Sequence, residues 1–365
     1  MTIKYPIYKP YLVGNEKKYV NQCIESSWIS SHGEFIDKFE TAFSEYLGMK
    51  YALSCSNGTV ALHLALLALD LGVGDEVILP SLTYVATANA VKYIGATPVF
   101  IDSEQQYFQI DPDKIESSIT EKTRAIIVVH LYGHASQMDQ ICNIAKKYNL
   151  FLIEDCAEAI GSKFNNKFVG TFGDVSTFSF FGNKTITTGE GGMVLTNNKN
   201  IAESVAKYKG QGVSKTVKYF HDVVGYNYRM TNICCAIGLA QLENINEILK
   251  KKNKIAQTYK KALSGVEGIY FHEEQTGTLH TFWLVSIVLN NNIKRDNLIN
   301  FLMKNEIETR PFFVPMHKLP IHKKNIHLPV AERLSLQGIN LPSYPELNDE
   351  DIQKISSKII EFIKQ

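Results

Sequence analysis

What the chain lacks narrows its function before any motif is read. Its six cysteines (Cys23, Cys55, Cys142, Cys156, Cys234, Cys235) include no Cys-x-x-Cys pair, and no histidine cluster stands at metal spacing. A disulfide framework and a metal site are both unsupported, so the cysteines are expected to be reduced and mostly buried. Charge of one sign is not in excess, with 38 basic against 37 acidic residues, and no global field therefore recruits nucleic acid or an anionic membrane. No run of about eighteen apolar residues occurs, and Met1 to Pro6 open with no leader-like apolar stretch. The expectation is a cytoplasmic protein without a membrane anchor. A Gly-x-Gly-x-x-Gly after the early strands is also missing, which counts against a nicotinamide-dependent oxidoreductase. There is no internal repeat and no low-complexity segment.

What is present suits a sizeable folded protein. The 365 residues are 45% apolar and 21% charged, values that fit two globular domains rather than disorder. From about residue 51 to 200, β-branched runs alternate with helical stretches, the pattern of a mainly parallel α/β sheet. Strands are predicted at 76–79, 98–101, 125–130, 151–154, 175–180 and 193–196. The stretch 58–71 is apolar almost all round and reads as a buried helix, and 137–148 is amphipathic and reads as a surface one. One long helix, capped by Thr231 or Asn232, is predicted to run into Lys250-Lys251-Lys252, read as a solvated face. Beyond about Gly265 a strand at 282–289 and a terminal helix from Asp349 suggest a smaller α+β domain. The expected domains are 1–245 and 246–365.

Three segments carry chemistry. An apolar strand leads through Phe181-Gly182-Asn183 to Lys184 and on to Gly189-Glu190-Gly191-Gly192. That delivers a lysine to a strand end where backbone approaches a ligand closely, and partial desolvation there lowers its pKa toward that of a nucleophile; the alternative is a surface turn. A second strand, Phe151-Leu152-Ile153, ends in Glu154-Asp155. Ligand crevices of open α/β sheets lie beyond such strand ends, so Asp155 either holds a pyridinium nitrogen protonated or caps a helix. Third, Ser54-Cys55-Ser56-Asn57-Gly58-Thr59 runs into the buried helix, whose N-terminus offers amides and a dipole to a phosphate or is simply capped by Asn57. Tyr84 either stacks on a flat ring or fills core. Asn227 and Arg229 either donate to a ligand or staple a loop.

Taken in order, from Trp28-Ile29-Ser30-Ser31-His32-Gly33 to Ile307-Glu308-Thr309-Arg310-Pro311, these segments resemble the DegT/DnrJ/EryC1/StrS sugar aminotransferases. The resemblance implies the aspartate aminotransferase fold (fold type I), an α/β large domain with a mainly parallel seven-stranded sheet and a smaller C-terminal α+β domain. It implies pyridoxal phosphate as cofactor, with Lys184 as the Schiff-base lysine, Asp155 on the pyridine nitrogen and Tyr84 against the ring. It also implies Gly58, Thr59 and Ser179 around the phosphate and Glu158 near the ring hydroxyl, a position where many relatives have glutamine. Asn227 would reach the phosphate of a neighbouring subunit, which implies a homodimer with composite active sites. The likeness over Glu154 to Gly161, Gly170 to Gly192 and Tyr226 to Gly238 is to members acting on a GDP sugar. They carry an amino group from L-glutamate, through pyridoxamine phosphate, to C4 of GDP-4-keto-6-deoxy-mannose for bacterial O-antigen (lipopolysaccharide) synthesis. A dTDP- or UDP-linked keto sugar is the alternative substrate, and Ser30, Ser31 and Arg310 are the candidate sugar-nucleotide contacts. A related deoxygenating sugar dehydratase resembles this chain but has histidine where Lys184 stands, which argues against that activity. The absence of a basic recognition helix counts against a DNA-binding regulator.

Overall fold

Short apolar runs broken by helical stretches build the first layer, as the alternation requires. A computed structural model describes residues 3–364; Met1, Thr2 and Gln365, at the outer limits of the two expected domains, lie outside the described residues. Strands β1 (Tyr51–Cys55), β2 (Glu76–Pro80), β3 (Thr97–Ile101), β4 (Thr123–Val129) and β5 (Phe151–Asp155) are followed by a short hairpin, β6 (Lys163–Phe164) and β7 (Lys167–Phe168), then β8 (Val175–Ser179) and β9 (Gly192–Thr196). All but the hairpin form one seven-stranded sheet of order β1-β9-β8-β5-β4-β2-β3. Only β9 runs against its neighbours, so the sheet is mainly parallel and needs cover on both faces.

That cover is helical, and the strand alternation shows which side chain faces which layer. Along β4, Ile126 and Val128 pack with Phe39 and Phe43 of α2 (Glu34–Leu47), which follows α1 (Glu16–Glu25). Ala125 and Ile127 point the other way, to Leu62 and Leu66 of α3 (Gly58–Ala68). Each of these side chains larger than alanine, when fully buried, contributes about 1.5–3 kcal/mol. Helix α4 (Val85–Tyr93) follows β2, α5 (Met138–Lys147) follows β4, and α6 (Lys199–Lys209) follows β9.

The long helix expected after Thr231 is two helices, α7 (Asn232–Glu243) and α8 (Ile245–Ala262). Thr231 caps the first, accepting from the Cys234 amide. The break falls at Asn244, whose side chain donates to the Ala240 carbonyl at 3.0 Å and so competes with the backbone for an acceptor. The lysine run is not uniformly solvated either: Lys250 is exposed, but Lys252 faces inward and is 1% exposed.

The remaining strands, β10 (Ile269–Phe271), β11 (Thr278–Leu279), β12 (Val285–Leu289), β13 (Arg310–Pro311) and β14 (Gly338–Leu341), are joined by α9 (Arg295–Lys304) and α10 (Pro329–Gln337), and α11 (Asp349–Ile363) closes the chain. Four of them form an antiparallel sheet, β10-β12-β14-β13, while β11 pairs with β6. The strand expected at 282–289 starts late. Thr281 and Trp283 instead donate their amides to the carbonyls of Gly133 and Tyr132, both at 3.1 Å, tying the loop after β4 to the second layer. The N-terminal residues also pack there, with Tyr5 bridging Ile307 and the Ser343 amide donating to the Ile7 carbonyl. The boundary expected at 245 therefore leaves out a segment near residue 5 that packs with the C-terminal part. No helix among the described residues is long and apolar enough to cross a membrane.

Candidate active site

The loop after β8 is shaped by backbone hydrogen bonds. The Phe180 and Thr188 amides donate to Gly191 and Phe180 carbonyls, and the Lys184 amide donates to Phe181. Gly189, at φ 81°, makes the return turn with a conformation that costs glycine little. The Lys184 side chain is 13% exposed, with Nζ 3.7 Å from Oε1 of Glu158 and 4.1 Å from the ring centroid of Trp283. Burial lowers its pKa, and the nearby Glu158 and Asp155 carboxylates partly restore it.

Two carboxylates end β5, and the pleat sends them to opposite faces. Asp155 faces the cavity. Its oxygens accept from the Thr87 hydroxyl at 2.8 Å and the Ala157 amide at 3.1 Å. No helix starts there, so the residue closes a turn instead of capping a helix. Burial raises its pKa against the pull of Thr87, Ala157 and Lys184. Glu154 faces the other way and accepts three amides, Gly170, Phe172 and Gly173, each at 2.7 Å. With His130 and Cys156 it forms a close buried cluster. The Ser136 amide donates to His130 Nδ1 at 3.1 Å, which leaves the Nε2–H for Glu154 at 3.1 Å; the cluster is an internal hydrogen-bond network. Glu158, one turn further on, accepts from the Tyr132 amide at 2.8 Å, and burial pushes its carboxyl up to about 7 while Lys184 opposes the shift.

The opposite wall is the start of α3. Asn57 caps it, accepting from the Val60 amide at 3.0 Å, so the bland reading of that loop holds locally. Capping uses one of the four free amides and leaves those of Gly58 and Thr59 without helical acceptors. Gly58 and Gly192 allow close approach here. A Cβ on Gly58 would meet Ser179 Cβ at 2.7 Å, and one on Gly192 would meet the Asn57 carbonyl oxygen at 2.5 Å.

Between these walls lies a cavity of about 740 Å³, lined by Gly58, Thr59, Tyr84, Asp155, Glu158, Ser179 and Lys184, with Trp283, Arg310 and Phe313 contributed by the second layer. Tyr84 stands at the N-terminus of α4 and is 55% exposed, which removes the reading of a buried aromatic. Arg310 reaches the cavity with Nη2 3.6 Å from Glu308 Oε1. Asn227, Arg229 and Ser30 are exposed and Ser31 half-buried. These four do not line this chain's own cavity. Sequence reading passed over Thr87, Trp283, Tyr8 and Phe313. Their only signals were a hydroxyl three residues after Tyr84, one of two tryptophans, and aromatics far off in the chain.

A buried amine beside carboxylates at the strand ends of such a sheet, faced across a cavity by a helix N-terminus, defines a fold type I aminotransferase. The chain belongs to the DegT/DnrJ/EryC1/StrS aminotransferase family, whose model matches residues 10–360. It is similar to the GDP-perosamine synthase of Escherichia coli O157:H7, with 54% identity over 98% of both chains. It is also similar to the GDP-perosamine synthase of Vibrio cholerae, with 49% identity over 97% of this chain and 98% of that one. Among solved structures, the PLP form of a putative sugar aminotransferase from Streptococcus pneumoniae superimposes with a TM-score of 0.92, at 26% identity and 98% coverage of each chain.

Proposed function

We propose that the protein transfers the amino group of L-glutamate to C4 of GDP-4-keto-6-deoxy-D-mannose with the aid of pyridoxal phosphate, forming GDP-perosamine for O-antigen synthesis. The observation that carries the reading is the buried Lys184 amine lying 3.7 Å from Glu158 in one cavity with Asp155 and the first turn of α3. The two similar GDP-perosamine synthases support the choice of substrate.

The donor set fits the cofactor. Backbone amides of Gly58 and Thr59, at the positive end of α3, and the Ser179 hydroxyl suit a phosphate, and the missing Cβ atoms at Gly58 and Gly192 let those groups converge. Asp155 would hold the ring nitrogen, Tyr84 the ring face, Glu158 the ring hydroxyl, and Lys184 the carbonyl carbon. When bound, the cofactor supplies a carbonyl that takes up amino groups and a protonated ring that withdraws electrons from the neighbouring carbon.

The chain's own residues then do the proton work. Lys184 is the base that takes the proton from Cα of glutamate and the acid that delivers one to C4 of the sugar. Burial lowers its pKa and so favours the neutral amine, and Thr87 and the Ala157 amide keep Asp155 oriented. Trp283 and Phe313 close the cavity from the second layer and limit water. Arg310, at the cavity mouth, is the contact for the sugar nucleotide. Asn227, Ser30 and Ser31 lie outside this chain's cavity, and the reading assigns them to the cavity of a second copy in a homodimer.

Purified protein with pyridoxal phosphate and L-glutamate is offered GDP-4-keto-6-deoxy-mannose, or dTDP- and UDP-linked 4-keto-6-deoxy-glucose, and products are weighed by mass spectrometry. Selective amination of the GDP sugar is expected. Preference for another nucleotide sinks the perosamine assignment, and no amination of any sugar sinks the aminotransfer.

A further inference from the structure

Lys252 is a buried cation whose place in the fold the reading of the site does not explain. It lies on α8 and is 1% exposed. Its ammonium donates to the carbonyls of Trp283 at 3.0 Å and Ser343 at 2.9 Å and stands 5.0 Å from the centroid of the Tyr8 ring, within reach of a cation–π attraction. Among the described residues no carboxylate pairs with it, and burial alone drives its pKa down to about 7. An unpaired buried ammonium is costly, and an apolar side chain of the same length would fill the space more cheaply. Keeping the amine calls for something that only a donor supplies.

Its two aromatic neighbours converge on the reacting loop. The Tyr8 hydroxyl donates to the Lys184 carbonyl at 2.6 Å, and the Trp283 indole N–H donates to the Asn183 carbonyl at 2.7 Å. These carbonyls belong to the two peptide units that flank the Lys184 Cα, so holding both fixes the direction in which its side chain leaves the backbone. The Trp283 ring also lies under the Lys184 amine. The structure assigns to Lys252 a positioning role: its ammonium holds Tyr8 and Trp283 where they grip the backbone on both sides of Lys184 and set an aromatic face beside the amine. This deepens the reading of Lys184 as the reacting amine and rests on it.

Lys252→Met tests it, with Tyr8→Phe as a second variant that keeps the ring and removes only the hydroxyl. Both are compared with the parent for kcat, both KM values, cofactor stoichiometry and melting temperature. Misplacement of the amine predicts kcat lower by about tenfold or more, with KM values and cofactor loading little changed. Separately, cofactor-free protein in a Trp28→Phe background, where Trp283 is the single tryptophan, reports that ring alone. Lys252→Met is expected to shift its emission to the red. Parental kcat in both variants overturns the proposal, as does activity that falls only in step with the folded fraction while the emission stays put. Should Lys252→Met not fold, Tyr8→Phe decides by the same kinetic criterion. If the parent aminates no sugar, the functional reading fails, yet the emission still decides whether Lys252 positions Trp283.

Discussion

At the scale of single residues, the site is an arrangement of three ionisable groups whose charges burial opposes. Lys184→Ala removes the amine that the reading makes both cofactor anchor and proton carrier. Amination is expected to fall by several orders of magnitude, and the protein is expected to lose its visible cofactor absorbance while keeping its fold, checked by far-UV circular dichroism. Glu158→Gln removes the nearest negative charge, which raises the Lys184 pKa. The variant should shift the midpoint for capture of an aldehyde by Lys184 in cofactor-free protein to lower pH; an unchanged or higher midpoint would mean that Glu158 does not couple to the amine. Asp155 was legible because it ends an apolar strand, and Lys184 because it follows one in a loop bounded by glycines. That Asp155 and not Glu154 faces the cavity follows from the pleat of β5, whose last residue pairs with Val129 and Thr177. Trp283 and Tyr8 were not legible, since their relevance lies in contacts with residues 100 and 176 positions away.

At the scale of elements, the N-terminus of α3, the end of β8 and the start of β9 form one wall of the cavity because two glycines let them touch. Gly58→Ala places a methyl 2.7 Å from Ser179 Cβ, so either the helix or the strand must shift. Cofactor titration should show binding weakened by about tenfold or more, while Asn57→Ala, which removes the cap, should cost about 1 kcal/mol of stability in a denaturant melt. An affinity for Gly58→Ala equal to the parent's would mean that the cradle is not where the phosphate sits. Six of the seven strands were readable from apolar periodicity, but β1, Tyr-Ala-Leu-Ser-Cys, carries too few β-branched residues to announce itself. The single long helix was misread because its apolar period continues smoothly across Asn244, where a local side-chain hydrogen bond interrupts the backbone.

At the scale of the whole molecule, three histidines help join the two layers. His134 follows β4, and His272 and His280 flank β11; their ring centroids lie 4.8–5.3 Å apart. Burial lowers all three pKa values, His134 to about 4; Lys260 adds repulsion to each, as do His130 at His134, His134 at His272, and His134 and His272 at His280. Below the ordinary histidine value near 6.5 the unfolded chain therefore takes up protons that the native state refuses. Their contribution is complete above pH about 6.5 and is lost as pH falls below it, for His134 down to about 4, at up to ~1.4 kcal/mol per pH unit for each ring. Melting temperature should drop through that window, and His280→Phe, which keeps the stack on Phe282, should flatten the drop. A pH dependence identical to the parent's would rule the cluster out as its source.

The grip on Lys184 has a consequence for the order in which the protein is made. Every strand of the large sheet, and Lys184 itself, is synthesised by residue 196. The indole that holds one flanking peptide arrives at residue 283, and the carbonyl that shares the Lys252 ammonium arrives at residue 343. A nascent chain can thus complete its sheet while the amine remains poorly aimed. On the proposed role of Lys252, the full aldehyde reactivity of Lys184 is expected only once the chain through Ser343 has been made.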